Sequence, residues 1–419
     1  MSIDHRRVGA PAPTAYDYPE SYYQLAEDHG VKRPVTNGRG RRSPQRRKWA
    51  LRVVVALVVL IAMLASASVV GAMNTPGNAN FKAKWADWLR GHHAGIVVNP
   101  LERWYYSAQA PAPGGHPRAL NAVPRAAANL KAPSTPAPHL APPPPVPLVV
   151  TPALPGEGQW QPTGPLIDGH PGMYVAQYRA DTRYTSQITT AVWMDPTALH
   201  VGLVPGSQEP GGTWNTPPDL VGTAAARAVA AFNGGFRIQD AQGGFYLDGR
   251  TAVPLRPGAA SVVLYKDGRV DVGAWGTEVT MTPDVGAVLQ NLAPLVDGGR
   301  PAPDATYHDT RIWGATLGAG TVVARSGIGV TPTGALVYVA GPALTAKTLA
   351  ESLQRAGAVR AMTLDINPEW VTFNLFNHPN ANDRSQIAAT KLYPQMQRRA
   401  DRYLGPTPEA RDFFTVSTS

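Results

Sequence analysis

The chain has 419 residues, with 42 Pro, 41 Gly and no Cys. That length holds one large domain or two ordinary ones with extensions, and the lack of cysteine excludes a disulfide framework or a thiolate metal site. The formal charge is +9, but residues 1–48 alone carry ten Lys/Arg against five Asp/Glu, so the basicity sits largely in an N-terminal tail and is poor grounds for nucleic-acid binding.

Residues 1–48 are polar, basic and rich in Tyr and Pro without a clear period, and are expected to be a disordered cytoplasmic tail. Tyr16, Tyr18, Tyr22 and Tyr23 give it either a partner-binding segment or simply an unstructured one. Val53 to Met73 carries no charge over 21 residues. As a helix it would run about 31 Å, enough for a hydrocarbon core of roughly 30 Å. The run RRSPQRRKWALR precedes it, so residues 49–73 read as a single-pass transmembrane anchor, N-terminus cytoplasmic and the rest extracytoplasmic at the cell membrane. A cleaved signal peptide ending near Leu64-Ala65-Ser66-Ala67 is the rival reading, and Arg46-Arg47 is a loose match to a twin-arginine export signal.

Residues 74–107 form a juxtamembrane amphipathic segment. Phe81, Trp85, Trp88 and Leu89 share one face of a short helix that suits a membrane surface or the folded domain equally. His92-His93 are adjacent rather than spaced for one helix face, and read as a solvated turn. Residues 108–156 are dominated by Pro and Ala and are expected to be a polyproline-type spacer. Residues 157–419 carry the globular domain. Short apolar runs recur there at Met173–Tyr178, Thr190–Met194, Leu199–Val204, Ala228–Phe232, Ser261–Tyr265 and Val270–Val272, the last two joined by Lys266-Asp267-Gly268.

Further on, an apolar run at Ala335–Ala340 leads into a helix at Thr345–Ala356. Thr345 is the N-cap, Gly357 the C-cap, and Leu349 and Leu353 form the apolar face. A second apolar run then stops on Asp365. This predicts a strand, a crossover helix and a parallel strand, with Asp365 at the carboxyl end where ligands of open α/β sheets bind. A second helix is expected from about Asp383 to Leu404, kinked or split by Pro394. Strands outnumber helices, so the fold class is mixed α/β (α+β): a strand-rich ectodomain with one strand–helix–strand unit.

Four places offer chemistry. Asn233-Gly234-Gly235 follows an apolar strand. The glycines allow positive φ or close ligand approach, and Asn233 can hydrogen-bond a sugar or phosphate oxygen; a tight turn has the same sequence. Arg325-Ser326 in a Gly-bearing segment can hold an anion, although no P-loop Gly-Lys-Ser/Thr follows. His308 and Arg311 offer a proton donor and a second anion contact, or a polar loop. Asp365 and Glu369 place two carboxylates on one loop, the usual apparatus for cleaving a glycosidic bond, and Trp370 can stack on a sugar. No Ser-His-Asp order, Gly-x-Ser-x-Gly or His-Glu-x-x-His occurs, and no metal ligand set or cofactor motif is visible.

Taken in order, FNGGF, GGFYLDGR, ARSGIGVTPTGALVYVAG, the LAESLQRAGA helix and AMTLD resemble the phosphodiester glycosidase family, over roughly residues 220–375. That family includes many bacterial proteins described as exopolysaccharide-related. The resemblance implies a pocket lined by Asn233 with its Gly-Gly turn, Arg325 and Asp365. It makes Arg325 the phosphate binder and Asp365 the catalytic or sugar-binding acid. The family continues its last strand with Asp-Gly-Gly-Gly-Ser, whereas here Asp365 is followed by Ile366-Asn367-Pro368-Glu369. The expected function is hydrolysis of a sugar–phosphate diester in cell-surface glycan by a membrane-anchored protein without a cofactor. The alternative is a non-catalytic envelope module that binds glycan or assists exopolysaccharide synthesis.

Overall fold

The computed structural model describes residues 44–75, 77, 80–108, 110–123, 129–130, 139–307, 309–316, 320–366, 368–378, 386–405 and 407–418. Residues 1–43 of the basic tail lie outside them. A 30-residue helix, Pro44–Met73, opens the described chain, and its Lys48–Met73 stretch has a mean hydropathy of 2.9. It is long and apolar enough to cross a membrane.

Among the described residues the rest is strand-rich, with three sheets. The largest has nine strands in the order β1 (Asn129–Leu130), β2 (Gln161–Ile167), β3 (His170–Tyr178), β4 (Thr189–Met194), β15 (Leu336–Leu344), β14 (Val323–Val330), β16 (Arg360–Thr363), β12 (Pro294–Asp297) and β13 (Arg300–Pro301). The second runs β10 (Val270–Ala274), β9 (Ala260–Tyr265), β11 (Val285–Gln290), β7 (Phe245–Leu247) and β8 (Arg250–Val253). The third runs β18 (Ala388–Lys391), β17 (Phe373–Asn377), β6 (Ala228–Asn233), β19 (Phe413–Ser417) and β5 (His200–Val204). The mixed α+β class expected from the sequence is what is found.

The predicted crossover needs one amendment. β15 and β16 are both antiparallel to β14, so they run parallel to each other, but β14 lies between them. The helix Ala346–Arg355 makes the connection. Thr345 caps it in a reciprocal box with Thr348, and Gly357 follows its end at φ +100°. Alternation then sorts the side chains. Val337, Val339 and Ala361 face the helix with Leu349 and Leu353, while Ile328, Tyr338 and Met362 face the core shared with the two smaller sheets. Gly327 is glycine because a Cβ there would lie 2.8 Å from the Met362 carbonyl and 2.9 Å from Leu353 Cδ1.

Two other expectations change, and one open alternative is decided. The helix expected from about Asp383 to Leu404 does not form among the described residues, which hold β18 followed by turns. β18 completes the sheet edge beside β17, and that tertiary pairing overrides local helical preference. The described part of the Pro/Ala segment is a coat rather than a free spacer. A polyproline backbone has no internal hydrogen bonds, and its carbonyls accept from the domain: Pro144 from Trp160 Nε1 (2.8 Å), Pro147 from Arg355 (3.1 Å) and Pro152 from Arg179 (2.6 Å). The amphipathic segment forms the helices Phe81–Gly91 and Gly95–Ala108, and the first packs on the folded domain: Asn80 Nδ2 donates to Glu369, and Asp87 pairs with Arg237.

Candidate active site

β6 ends on Asn233, β14 carries Ser326, and the chain leaves β16 through Leu364 to Asp365. Between β14 and Asp365, the Ser326 N–H donates to the Asp365 carbonyl (2.8 Å) and the Asp365 N–H to Ser326 Oγ (3.2 Å). Asn233 Nδ2 donates to Ser326 Oγ (3.1 Å), and its Oδ1 accepts from the Tyr338 hydroxyl and the Thr372 N–H, both at 3.1 Å. The amide of Asn233 is thus spent joining β6, β14, β15 and the start of β17. Asn291, on the turn after β11, fixes the other side: its Nδ2 donates to the carbonyls of Thr363 and Leu364 (both 2.9 Å), and its Oδ1 accepts from the Phe236 N–H (3.3 Å).

This framework aims Asp365, 2% exposed, at a cavity of about 310 Å3 bordered also by Phe236, Arg237, Thr310, Ile366 and Arg411. Asp365 Oδ1 accepts from the Ile366 N–H (2.7 Å), and Oδ2 takes Arg411 Nη1 (3.1 Å). The Arg411 guanidinium also lies 3.6 Å from the centre of the Trp370 ring, a cation–π contact that orients it. Arg237 and Arg411 border a second cavity of about 290 Å3 as well, which Asp365 does not reach. Glu209 lines that second cavity, and burial pushes its carboxyl up, opposed by Arg411. Asp412 lies beneath the Asn-Gly-Gly turn: a Cβ on Gly234 would fall 2.0 Å from Asp412 Oδ2. Burial raises its carboxyl to about 8, with Glu209 adding like-charge repulsion.

The sequence-selected residues are therefore divided. Asp365 borders the first cavity, and Trp370, 8% exposed, borders the second. Gly234 and Gly235 do not take positive φ. They are glycine because Asp412 and Asn291 approach the turn, a Cβ on Gly235 standing 3.2 Å from Asn291 Cγ. Arg325 and Asp365 are not brought together. Arg325 follows the opposite alternation from Ser326, towards the helix side of β14, where its Nε donates to the Leu344 carbonyl (2.9 Å) and burial lowers its pKa to about 10. Glu369 borders neither cavity; its carboxylate is taken by Asn80 and by Arg398 Nε at 3.3 Å. The Arg311 side chain is exposed and pairs with Asp309 (2.7 Å), and His308 lies outside the described residues. Among the described residues no cluster of three or more His, Asp or Glu is arranged to hold a metal ion.

Arg237, Arg411, Glu209 and Asp412 were not foreseen. Arg237 follows FNGGF directly and could have been included with it, whereas Arg411-Asp412 sits in an unremarkable C-terminal run.

Residues 226–385 match the phosphodiester glycosidase family. That span contains the Asn-Gly-Gly turn, Arg237, Ser326 and Asp365, so the resemblance carried by FNGGF through AMTLD holds. Glu209, Arg411 and Asp412 lie outside it. The chain is similar to the catalytic domain of zebrafish N-acetylglucosamine-1-phosphodiester alpha-N-acetylglucosaminidase, auto-inhibited by its pro-peptide. The identity is 15% over 59% of this chain and 82% of that one, with a TM-score of 0.37. It is also similar to a hypothetical protein from Synechocystis, at 14% identity over 61% of this chain and 64% of that one, with a TM-score of 0.32. No curated protein matches the sequence. Ile366, directly after Asp365, is 1% exposed and packs with Phe236, Ala241 and Leu292.

Proposed function

We propose that this chain is a membrane-anchored hydrolase that cleaves the bond between a sugar and a phosphodiester in cell-surface glycan or exopolysaccharide. The observation that carries this reading is the Asp365–Arg411 pair at the wall of a cavity that also has Arg237 on its rim. A buried carboxylate would repel an anionic diester unless a cation stood between them. Arg411 fills that place, and a guanidinium can give paired N–H donors to phosphate oxygens. Arg411 and Arg237 would hold the phosphate, taking the role that the family resemblance suggested for Arg325. Asp365, its partner drawn to the phosphate, would act at the anomeric carbon, either directly or by taking a proton from the attacking water. The electrons of the broken carbon–oxygen bond go to the phosphate, a leaving group that needs little acid help, so one carboxylate suffices. The helix Lys48–Met73 supplies the anchor, and the basic run before it favours an extracytoplasmic domain.

The test is phosphomonoester release from a methyl sugar-1-phosphodiester by the purified full-length protein. Wild type should turn over. Asp365→Asn should lower kcat by about 100-fold or more. Arg411→Lys should raise KM, because an ammonium cannot reproduce the paired donors. Absence of turnover in wild type, or unchanged kcat in Asp365→Asn, sinks the hydrolase reading, and glycan binding without product then favours the non-catalytic module.

A further inference from the structure

Arg237 and Arg411 border both cavities. At about 310 and 290 Å3, each lies near the lower end of the roughly 300–1,000 Å3 typical of small-molecule sites. A phosphodiester has the matching plan, with an anion in the middle and one organic group on each side. If the phosphate sits on the two arginines and the reacting sugar lies beside Asp365, the ester group on the far side enters the second cavity.

That second cavity differs in origin and chemistry from the first. One wall comes from the domain through Glu209 and Trp370, and the other from the helix Phe81–Gly91 and its cap through Lys84, Trp88 and His92. The helix is held in place independently of any ligand. Asp87 pairs with Arg237, Asn80 caps the helix N-terminus at Ala83 (2.9 Å) and also donates to Glu369, and Trp88 stacks on His92 at 3.8 Å. With Arg237 and Arg411 on the central phosphate, Lys84 is the lining cation left at this wall to meet a polar group with its own negative charge. Residues 81–91 also lie outside the 226–385 family match, so this wall belongs to what surrounds the matched region.

We infer that the second cavity is a leaving-group subsite, built partly by the membrane-proximal helix, which selects diesters whose far side carries a further anionic sugar or polyol unit, as an internal linkage of a phosphate-bearing polymer does. The inference rests on the sugar–phosphate reading of the first cavity. Lys84 is the specificity residue on the helix side, and Glu209 lines the same cavity from the domain side.

Calorimetric binding to the full-length protein tests it with two non-hydrolysable ligands: a methyl ester of a sugar C-phosphonate, and the same phosphonate with a polyol phosphate in place of methyl. Wild type should bind the longer ligand on the order of tenfold more tightly, the size of one charge-assisted contact, and Lys84→Glu should bring the ratio of the two dissociation constants close to one. Trp88→Ala should also narrow the ratio, but it risks loosening the helix, so the charge reversal at the partly exposed Lys84 is decisive. Equal affinity for the two ligands in wild type, or an unchanged ratio in Lys84→Glu, overturns the subsite. A Lys84-dependent preference without any hydrolysis of the methyl sugar-1-phosphodiester upholds the subsite and removes the catalytic reading instead.

Discussion

Asp412 is the most unusual single residue near the site. It is wholly buried under a turn that admits it only because residue 234 has no side chain. Burial raises its carboxyl from 3.8 to about 8. Between those values the folded protein keeps a proton that the unfolded chain has released. The native state thus binds more protons, and stability falls as pH rises across that window, by up to ~1.4 kcal/mol per pH unit. Thermal melts from pH 5 to 8 should show a falling Tm, and Asp412→Asn should flatten the curve. A variant curve as steep as wild type would mean that another group carries the dependence. Arg179 gives a second case at this scale. Its Nη2 lies 2.7 Å from Glu157 with both side chains buried, so Arg179→Ala should cost about 3–5 kcal/mol in urea unfolding by leaving that carboxylate unpaired.

At the scale of elements, the strand–helix–strand unit sets where Asp365 stands. The helix Ala346–Arg355 is pinned to β14 and β15 by Leu349 and Leu353, both fully buried, and started by the Thr345–Thr348 box. Thr345→Ala should lose about 1 kcal/mol, and Leu353→Ala about 2–5 kcal/mol, in denaturant unfolding. Equal, negligible losses would mean that the helix contributes little to holding β16. This unit was legible in the sequence because cap, period and closing glycine all lie within a few residues of one another. The insertion of β14 between the parallel strands was not, because strand order depends on pairings between distant segments. Arg325 shows the consequence at the site. It neighbours Ser326 in sequence, but strand alternation sends the two side chains to opposite faces of the sheet.

For the molecule as a whole, the helix Lys48–Met73 is long and apolar enough to cross a membrane, and the proposed anchoring rests on it. Carbonate-washed membranes should retain the full-length protein, and recovery of a shortened soluble form would support signal cleavage instead. Deleting residues 1–43 should leave diester turnover unchanged. Removing residues 1–94 should change the long-to-short ligand preference, because it takes away the wall that carries Lys84 and Trp88.

The sequence by itself determined the apolar helix, the strand-rich mixed class, the capped crossover helix, the family span and Asp365 at a strand end. Each of these is written in local composition, period or a contiguous motif. Only the tertiary structure decided what stands around Asp365. Arg411 comes from the last strand's approach and Arg237 from the turn after Phe236, while the helix wall starts almost 300 residues before Asp365 along the chain. Sheet pairing and side-chain alternation bring these groups together, and they also turn Arg325 and Glu369 towards other partners. The polyproline coat follows the same physics: its composition fixes an extended backbone with free carbonyls, but only the folded domain supplies the Trp160, Arg179 and Arg355 donors that hold it down.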